Sequence, residues 1–442
     1  MAKVPVTAIF DIGKTNKKFF LFDEQLQEVG SWYTRLDPIP DEDGFPSEAL
    51  IPLQTWMIQT FKEALQSENF EIKRVNFSGH GASLVHLDAQ GLPATPLYDY
   101  LKPYPEYLLD QFYGQYEGKM EFCKKTSSPP LAMLNSGLQL YFLKYQKPQQ
   151  FEKIATSLHL PQYLSYLFTG IKVSDYTSLG CHTGLWDFES MKYHEWVEKE
   201  SCTPLLAPIL QGKTLLQTTP DLGSIPCGIG IHDSSAALLP YLAKGKEPFL
   251  LLSTGTWAIS MHPFNTSPLT SQELQQDCLQ FLSIEGQPIK ISRLFIGEEH
   301  KYQIESMYAH WQLPMGTYKK LIFDRSLYEK IASSPIPKIR MKYLQPEMFS
   351  IPNGEENTWA SFDSFEEAYY AFMHELTNLQ VASLQLLLKD APVPTIFVDG
   401  GFNANPIYLE MLRLKLPECK FLASDFPNGS ALGAAMLVNM AS

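Results

Sequence analysis

Three places in the chain bring an apolar run to a stop at glycine and small polar residues, a local chemistry that lets backbone approach a phosphate. Val6 to Asp11 runs into Gly13-Lys14-Thr15-Asn16, Phe249 to Leu252 runs into Ser253-Thr254-Gly255-Thr256, and Ile396 to Asp399 runs into Gly400-Gly401 before Asn405-Pro406. Glycine has no Cβ to hold a ligand away, and the amides of a tight turn can converge on an anion. Turns so widely spread are best explained by one nucleotide held between two domains. A separate carboxylate, Asp233, ends the short run Ile229-Gly230-Ile231-His232 and opens a helix-like segment from Ser234 to Leu242. A carboxylate at such a junction can be aimed rigidly as a proton acceptor, or it can simply cap the helix that follows. Gly13-Lys14-Thr15 superficially matches the end of a P-loop. That motif needs a glycine five residues before its second glycine, where this chain has Ala8, and a helix afterwards, so it is excluded.

The elements that must position these residues can be read from periodicity. Lys18-Phe19-Phe20-Leu21-Phe22 is strand-like, and Gly30 to Thr34 predicts a third strand, so an antiparallel meander starts at residue 6. A helix is expected over 51–66, a strand over 75–81 ending in the Gly79-His80-Gly81 turn, and another over 84–88. From Ser128 to about Leu215 the pattern is mostly helical and rich in aromatics. Lys244-Gly245-Lys246-Glu247-Pro248 is the best domain boundary, and Phe249 restarts the strand, turn, strand device, which hints at a duplicated architecture. A long amphipathic helix is predicted over 365–388, with Ala368, Phe372, Leu376 and Leu379 on one stripe and a capping box of Ser364 with Glu367.

Composition sets the class. A chain of 442 residues is long enough for two domains that each bury a core. No apolar run approaches the roughly 20 residues of a membrane span, and the first residues carry no apolar leader. The six cysteines show neither a C-x-x-C pair nor metal spacing, which predicts reduced, buried thiols and a cytoplasmic protein. A net charge of −13 argues against nucleic acid, which requires a positive footprint. It does not exclude a small anion held by backbone amides.

Taken together, Asp11-x-Gly13, His232-Asp233-Ser234-Ser235-Ala236, Ser253-Thr254-Gly255-Thr256-Trp257, Gly400-Gly401 and Gly429-Ser430-Ala431-Leu432-Gly433-Ala434-Ala435 resemble, in order and spacing, the FGGY carbohydrate kinases. Leu167 to Gly170 and Ser178 to Asp187 resemble the family's segment between its sugar-contacting loops, so the likeness covers nearly the whole chain. The His-Asp pair and the Ser-Thr-Gly-Thr-Trp turn look most like the rhamnulokinase and fuculokinase branch.

The resemblance implies an α/β fold of two actin-like ATPase (ribonuclease H-like) domains with a cleft between them, each on a mixed five-stranded sheet. Residues 1–245 would form the sugar and phosphate domain, with a helical insertion at about 100–215, and residues 246–442 the nucleotide domain. The implied reaction moves the γ-phosphoryl group of ATP to a hydroxyl of a ketose, with L-rhamnulose or L-fuculose as candidates. Asp233 would be the catalytic base and Asp11 would hold Mg²⁺, the metal cofactor beside ATP. Gly13, Thr15 and Asn16, together with Thr254, Gly255 and Thr256, would face the phosphates, and Lys18 stands where an arginine is common. Gly400, Gly401 and Asn405 would form the adenosine side, while Gly79, His80, Asp99 and His232 would contact the sugar. Two departures bear on nucleotide affinity: Lys14 replaces a small or hydroxylated residue, and Phe402 stands where a third glycine is common. The expected partners are the sugar and ATP, with no nucleic acid or membrane, and a homodimer is the candidate assembly. A catalytically silent regulator on the same fold is the alternative; retention of both Asp11 and Asp233 speaks against it.

Overall fold

A computed structural model of the chain describes residues 2–245, 247–333, 338–355, 359–424 and 426–440. It divides into two compact units, one of residues 1–244, 280–288 and 426–442, the other of 245–279 and 289–425. The chain passes from the first unit to the second beside Gly245, where the sequence predicts a boundary; Lys246 lies outside the described residues. Two later stretches return to the first unit, so the units are not simply consecutive, as the 1–245 and 246–442 division has them.

In the first unit, β1 (Val4–Ile12) pairs antiparallel with β2 (Lys17–Phe22), which pairs antiparallel with β3 (Glu28–Thr34). On its other side β1 runs parallel to β4 (Phe70–Gly79), and the two-residue β5 (Ile231–His232) runs parallel to the end of β4. Residues Val6 to Ile12 are buried throughout, as a central strand covered on both faces must be. Because successive side chains alternate, Ala8, Phe10 and Ile12 enter one core with Leu53, Met57 and Phe61 of the helix Leu50–Leu65. Ile9 enters the other, with Phe20, Ala236 and Leu239 of helix α1 (Asp233–Lys244) and Ala431, Ala434 and Ala435 of the helix Gly429–Met440. A Cβ on Gly433 would lie 1.8 Å from the Ala236 carbonyl oxygen, so these two helices touch backbone to backbone.

The second unit repeats the pattern. β6 (Phe249–Thr254) pairs antiparallel with β7 (Ala258–His262), and β7 with β8 (Pro288–Leu294). After helix α2 (Ile296–Trp311) and the long α3 (Phe365–Leu388), β9 (Thr395–Gly400) runs parallel to β6, and beyond α4 (Pro406–Lys415) β10 (Lys420–Ala423) runs parallel to β9. Ala368, Phe372, Leu376 and Leu379 of α3 are all buried, as their spacing predicts.

Three expectations are corrected. Among the described residues the sheets have seven and six strands rather than five: the three-residue strands Leu215–Gln217 and Pro226–Gly228 and the two-residue β5 extend the first, and the five-residue strand Cys278–Leu282 lies outside β8 in the second. The 128–215 stretch, read as mostly helical, is a mosaic of short helices and two-residue strands such as Ser174–Asp175 and Trp186–Asp187. At the start of α3 only half of the capping box forms: Glu367 N–H donates to Ser364 Oγ, while the Glu367 carboxylate accepts from Asp363 N–H. The full reciprocal box occurs instead at Thr270 and Glu273.

Candidate active site

In the first unit, parallel pairing sets the carboxyl ends of β1, β4 and β5 side by side, with Asp11 opposite Ser78, Ile12 opposite Gly79, and His232 opposite Gly79. Asp11, His80 and the His232-Asp233 pair come from three distant stretches of sequence, and this register gathers them. Asp11 is buried, and burial pushes its carboxyl above the usual carboxylate range. Lys18, across the ladder with its Nζ 3.7 Å from Asp11 Oδ2, pulls it back; the charge of Asp233 adds to the rise, and the hydroxyls of Ser78 and Ser430 oppose it.

Asp233 is the first residue of α1. Its Oδ1 accepts from Ser234 N–H at 2.6 Å and lies 3.3 Å from His232 Nε2. The carboxylate therefore holds its own helix start while remaining about one-third exposed (32 %), so capping leaves it accessible to solvent. His232 is buried, which depresses its basicity against the pull of Asp233 and Asp175. Its backbone N–H donates to Thr177 Oγ1, and the Thr177 hydroxyl donates to the buried Asp175 carboxylate. Asp175 and Thr177 are not among the residues expected from sequence, although they immediately precede the 178–187 segment that carries part of the family resemblance.

His80 is buried and held neutral by desolvation. Its Nδ1 donates to the Gly81 carbonyl at 3.1 Å, and its Nε2 is buried with no hydrogen-bond partner. Such an orphaned acceptor is what a hydroxyl-bearing ligand would satisfy. Gly79 packs against Pro161, which lies 3.2 Å from where a Cβ would sit. Asp99 is paired with Lys14 at 2.6 Å, and the same ammonium lies 5.0 Å from the centroid of the Tyr100 ring. Lys14 thus faces the proposed sugar-side residue Asp99, although the sequence places it in the phosphate turn.

Within the Gly13–Asn16 turn, Gly13 N–H donates to the Asn16 carbonyl, and Thr15 and Asn16 are exposed. The turn is held by a residue not singled out from sequence. Lys17 is 1 % exposed, and its Nζ donates to the carbonyls of Gly13 and Lys14 at 3.0 Å each and pairs with Glu48 at 2.8 Å.

The second unit contains a cavity of about 560 Å³ lined by Gly255, His300, Tyr318, Gly401, Phe402 and Asn405, among others. Gly401 has nothing within 4 Å of where a Cβ would project, and Gly255 has only the Trp257 carbonyl oxygen at 3.8 Å. Both glycines leave open space, as backbone meant to lie against a ligand should. Gly400 has a different reason for being glycine. Its φ is +81°, and a Cβ there would lie 1.8 Å from Thr254 O. The Thr254 hydroxyl donates to the Asp399 carbonyl and accepts from Phe402 N–H, so it holds the β9 turn. Thr256 is exposed, and its carbonyl accepts from Gly297 N–H. Asn405 caps α4 by accepting from Ile407 and Tyr408 N–H, and its amide donates to the Tyr369 hydroxyl. Phe402 is 8 % exposed and packs on His300, so it forms the cavity floor.

The acidic side chains fit Mg²⁺ arriving with a nucleotide. Asp11 lies close enough to Asp233 for its charge to be felt, and one or two carboxylates are what that ion takes when phosphate oxygens and water complete its shell. Among the described residues no cluster of three or more His, Cys, Asp or Glu could form an all-protein cage. No described helix is long and apolar enough to cross a membrane, and the six cysteines are buried and form no disulfide.

Comparison with known proteins agrees in fold and family. The chain is 22 % identical to a carbohydrate kinase from Novosphingobium aromaticivorans, with a TM-score of 0.80 over 98 % of this chain and 93 % of that one. It is 15 % identical to xylulose kinase from Rhodospirillum rubrum, with a TM-score of 0.78 over 99 % and 90 %. Against Plasmodium falciparum glycerol kinase with ADP it is 16 % identical, with a TM-score of 0.76 over 100 % and 90 %. A rhamnulokinase from Oceanobacillus iheyensis is 24 % identical over 40 % of this chain and 38 % of its own length, so that match spans well under half of the relative. Residues 6–215 match the FGGY family of carbohydrate kinases, N-terminal domain, and residues 246–442 match carbohydrate kinase FGGY, C-terminal domain. The chain belongs to the FGGY family of carbohydrate kinases.

Proposed function

We propose that this chain transfers the γ-phosphoryl group of ATP to a hydroxyl of a deoxy-ketose such as L-rhamnulose or L-fuculose, in the cytoplasm. The observation that carries the reading is the meeting of Asp11, His80 and Asp233 at the ends of three adjacent strands. Phosphoryl transfer asks little covalent chemistry of a protein; it asks for an aligned hydroxyl, an acceptor for its proton, and compensation of phosphate charge. Asp233 is the proton acceptor. His80 Nε2, an unpaired buried acceptor, takes a hydrogen bond from a sugar hydroxyl, and Asp99 takes another. Asp11 holds the Mg²⁺, which supplies charge compensation when bound. In the first unit the amides of Lys14 and Thr15 are the phosphate donors, with Lys18 beside Asp11, and in the second unit the turn from Thr254 to Thr256 has the same role. The cavity at Gly255, Gly401, Phe402 and Asn405 takes the nucleoside, with Gly400 making the turn that leads into Gly401.

The partial match to a rhamnulokinase supports the deoxy-ketose assignment, while the xylulose and glycerol kinases share the fold. An ADP-release assay across ketoses and polyols tests the proposal. Preference for L-rhamnulose or L-fuculose is expected; turnover only with xylulose or glycerol would remove the deoxy-ketose assignment. His80→Ala should then change kcat/KM unequally among sugars, because a site built to pair with a hydroxyl rejects analogues that lack it.

A further inference from the structure

We propose that Lys17 is the positioning residue of the first phosphate turn: its buried ammonium fixes the direction in which the turn's amides point. This rests on the reading of Gly13–Asn16 as a phosphate-binding turn. Lys18, whose side chain is 27 % exposed and lies near Asp11, is the cation the sequence singles out there. Lys17 is the better buried, and all three of its ammonium hydrogens have partners: the carbonyls of Gly13 and Lys14 and the carboxylate of Glu48.

The consequence follows from the planarity of the peptide. In a trans peptide the C=O and the N–H point in opposite directions. Drawing the Gly13 carbonyl toward Lys17 turns the Lys14 N–H away from it. Drawing the Lys14 carbonyl to the same ammonium turns the Thr15 N–H away likewise. Two successive amides are thereby aimed to the side opposite the buried charge, which is the arrangement a phosphate oxygen needs. Gly13 N–H bonds to Asn16 O and closes the turn behind them.

Glu48 completes the device. It lies on the short strand Pro46–Glu48, opposite Leu97 of the strand Leu97–Tyr98 that leads directly to Asp99. The lysine therefore ties the phosphate turn to the segment that carries the proposed sugar contact.

A purely structural ion pair and a positioning clamp make different predictions. Replacing a buried ion pair by apolar side chains of similar size is commonly neutral for stability, whereas removing one partner leaves a buried charge and destabilises strongly. MgATP binding by calorimetry and the thermal midpoint should therefore be measured for the wild type, Lys17→Met and the double variant Lys17→Met/Glu48→Leu. Lys17→Met is expected to melt lower and to bind MgATP at least about tenfold more weakly, the loss of one charge-assisted amide contact. The double variant should regain most of the midpoint and none of the affinity. A double variant that binds MgATP as the wild type does would overturn the proposal. Wild-type protein that fails to bind MgATP would remove the phosphate-turn reading and this inference with it, and the wild-type arm alone reports that outcome.

Discussion

The β1–β2 turn and the β6–β7 turn occupy the same place in two repeated sheets, yet different chemistry holds them. In the first unit the lock is ionic: the buried Lys17 grips two carbonyls and is neutralised by Glu48. In the second it is neutral: the Thr254 hydroxyl bridges the Asp399 carbonyl and the Phe402 amide, and glycines let backbone close in. A Cβ on Gly297 would lie 2.3 Å from Gly255 O, and one on Gly400 would lie 1.8 Å from Thr254 O, whereas one on Gly13 would lie 3.3 Å from its nearest neighbour. An ammonium reaches carbonyls at the end of a long flexible stem, so the first turn can form without crowding. A threonine hydroxyl sits one bond from its Cβ, so the second turn needs backbone brought within reach, and glycine is the residue that allows it. The repeated element is the path of the chain; the lock on it differs between the units.

The largest expected effect falls on the first unit, which carries Asp233, the proposed proton acceptor. Asp233→Asn should lower kcat by about 10² to 10⁴ while leaving MgATP affinity nearly unchanged, the range for loss of a general base. Steady-state kinetics on a verified sugar checks this, and wild-type kcat would disprove the assignment. Gly255→Val should come next, cutting MgATP affinity by roughly tenfold or more because its side chain would fill space the phosphates need. Since Gly255 has only one atom within 4 Å of a Cβ and a φ outside the glycine-favouring region, the variant should keep its fold; an unshifted melting curve with lost binding is the expected pair of results.

Gly400→Ala separates the two kinds of glycine. It combines a φ of +81° with a contact that no Cβ tolerates, so a loss on the order of 3 kcal/mol is expected in chemical denaturation. Gly13→Ala should cost much less, and equal losses would mean that the two turns are held alike. Thr254→Val removes a buried hydroxyl with two partners and should cost about 1 to 3 kcal/mol. The smallest effect concerns pH. A carboxyl raised by burial ionises at higher pH than usual, so MgATP affinity that needs ionised Asp11 should fall as pH drops through that raised value. Lys18→Met removes the opposing cation and should move this acid limb to higher pH, and Asp233→Asn removes a like charge and should move it lower. Calorimetry across pH reads both directions.

Much of the fold is legible in the amino-acid sequence. The periodicity of 365–388 places α3 at its observed ends, and strand-then-glycine patterns mark β1, β6 and β9. The short strands Leu215–Gln217, Pro226–Gly228 and Ile231–His232 are not legible, because two or three residues carry no measurable alternation. Asn405 and Thr254 can be named from sequence as residues of nucleotide loops, but their residue types do not reveal that they spend their side chains on a helix cap and a strand turn. Lys17 is hidden for a related reason: lysine is usually solvated, and nothing in Asn16-Lys17-Lys18 says which ammonium turns inward.

By itself the sequence determined the family and most of the long elements, and it nominated the carboxylates and glycines proposed for the chemistry, because these readings depend on residue type and short-range spacing. Only the tertiary structure decided which of them meet. Asp11, Gly79 and His232 are separated by long stretches of chain and become neighbours through the register of three parallel strands, which is fixed by long-range packing of alternating side chains. Burial decided the rest. It raises Asp11 and holds His80 neutral, while the carbonyls of Gly13 and Lys14 and the Glu48 carboxylate offset the desolvation of Lys17, because desolvation is a property of what surrounds a group, and much of the surroundings comes from parts of the chain far away in sequence.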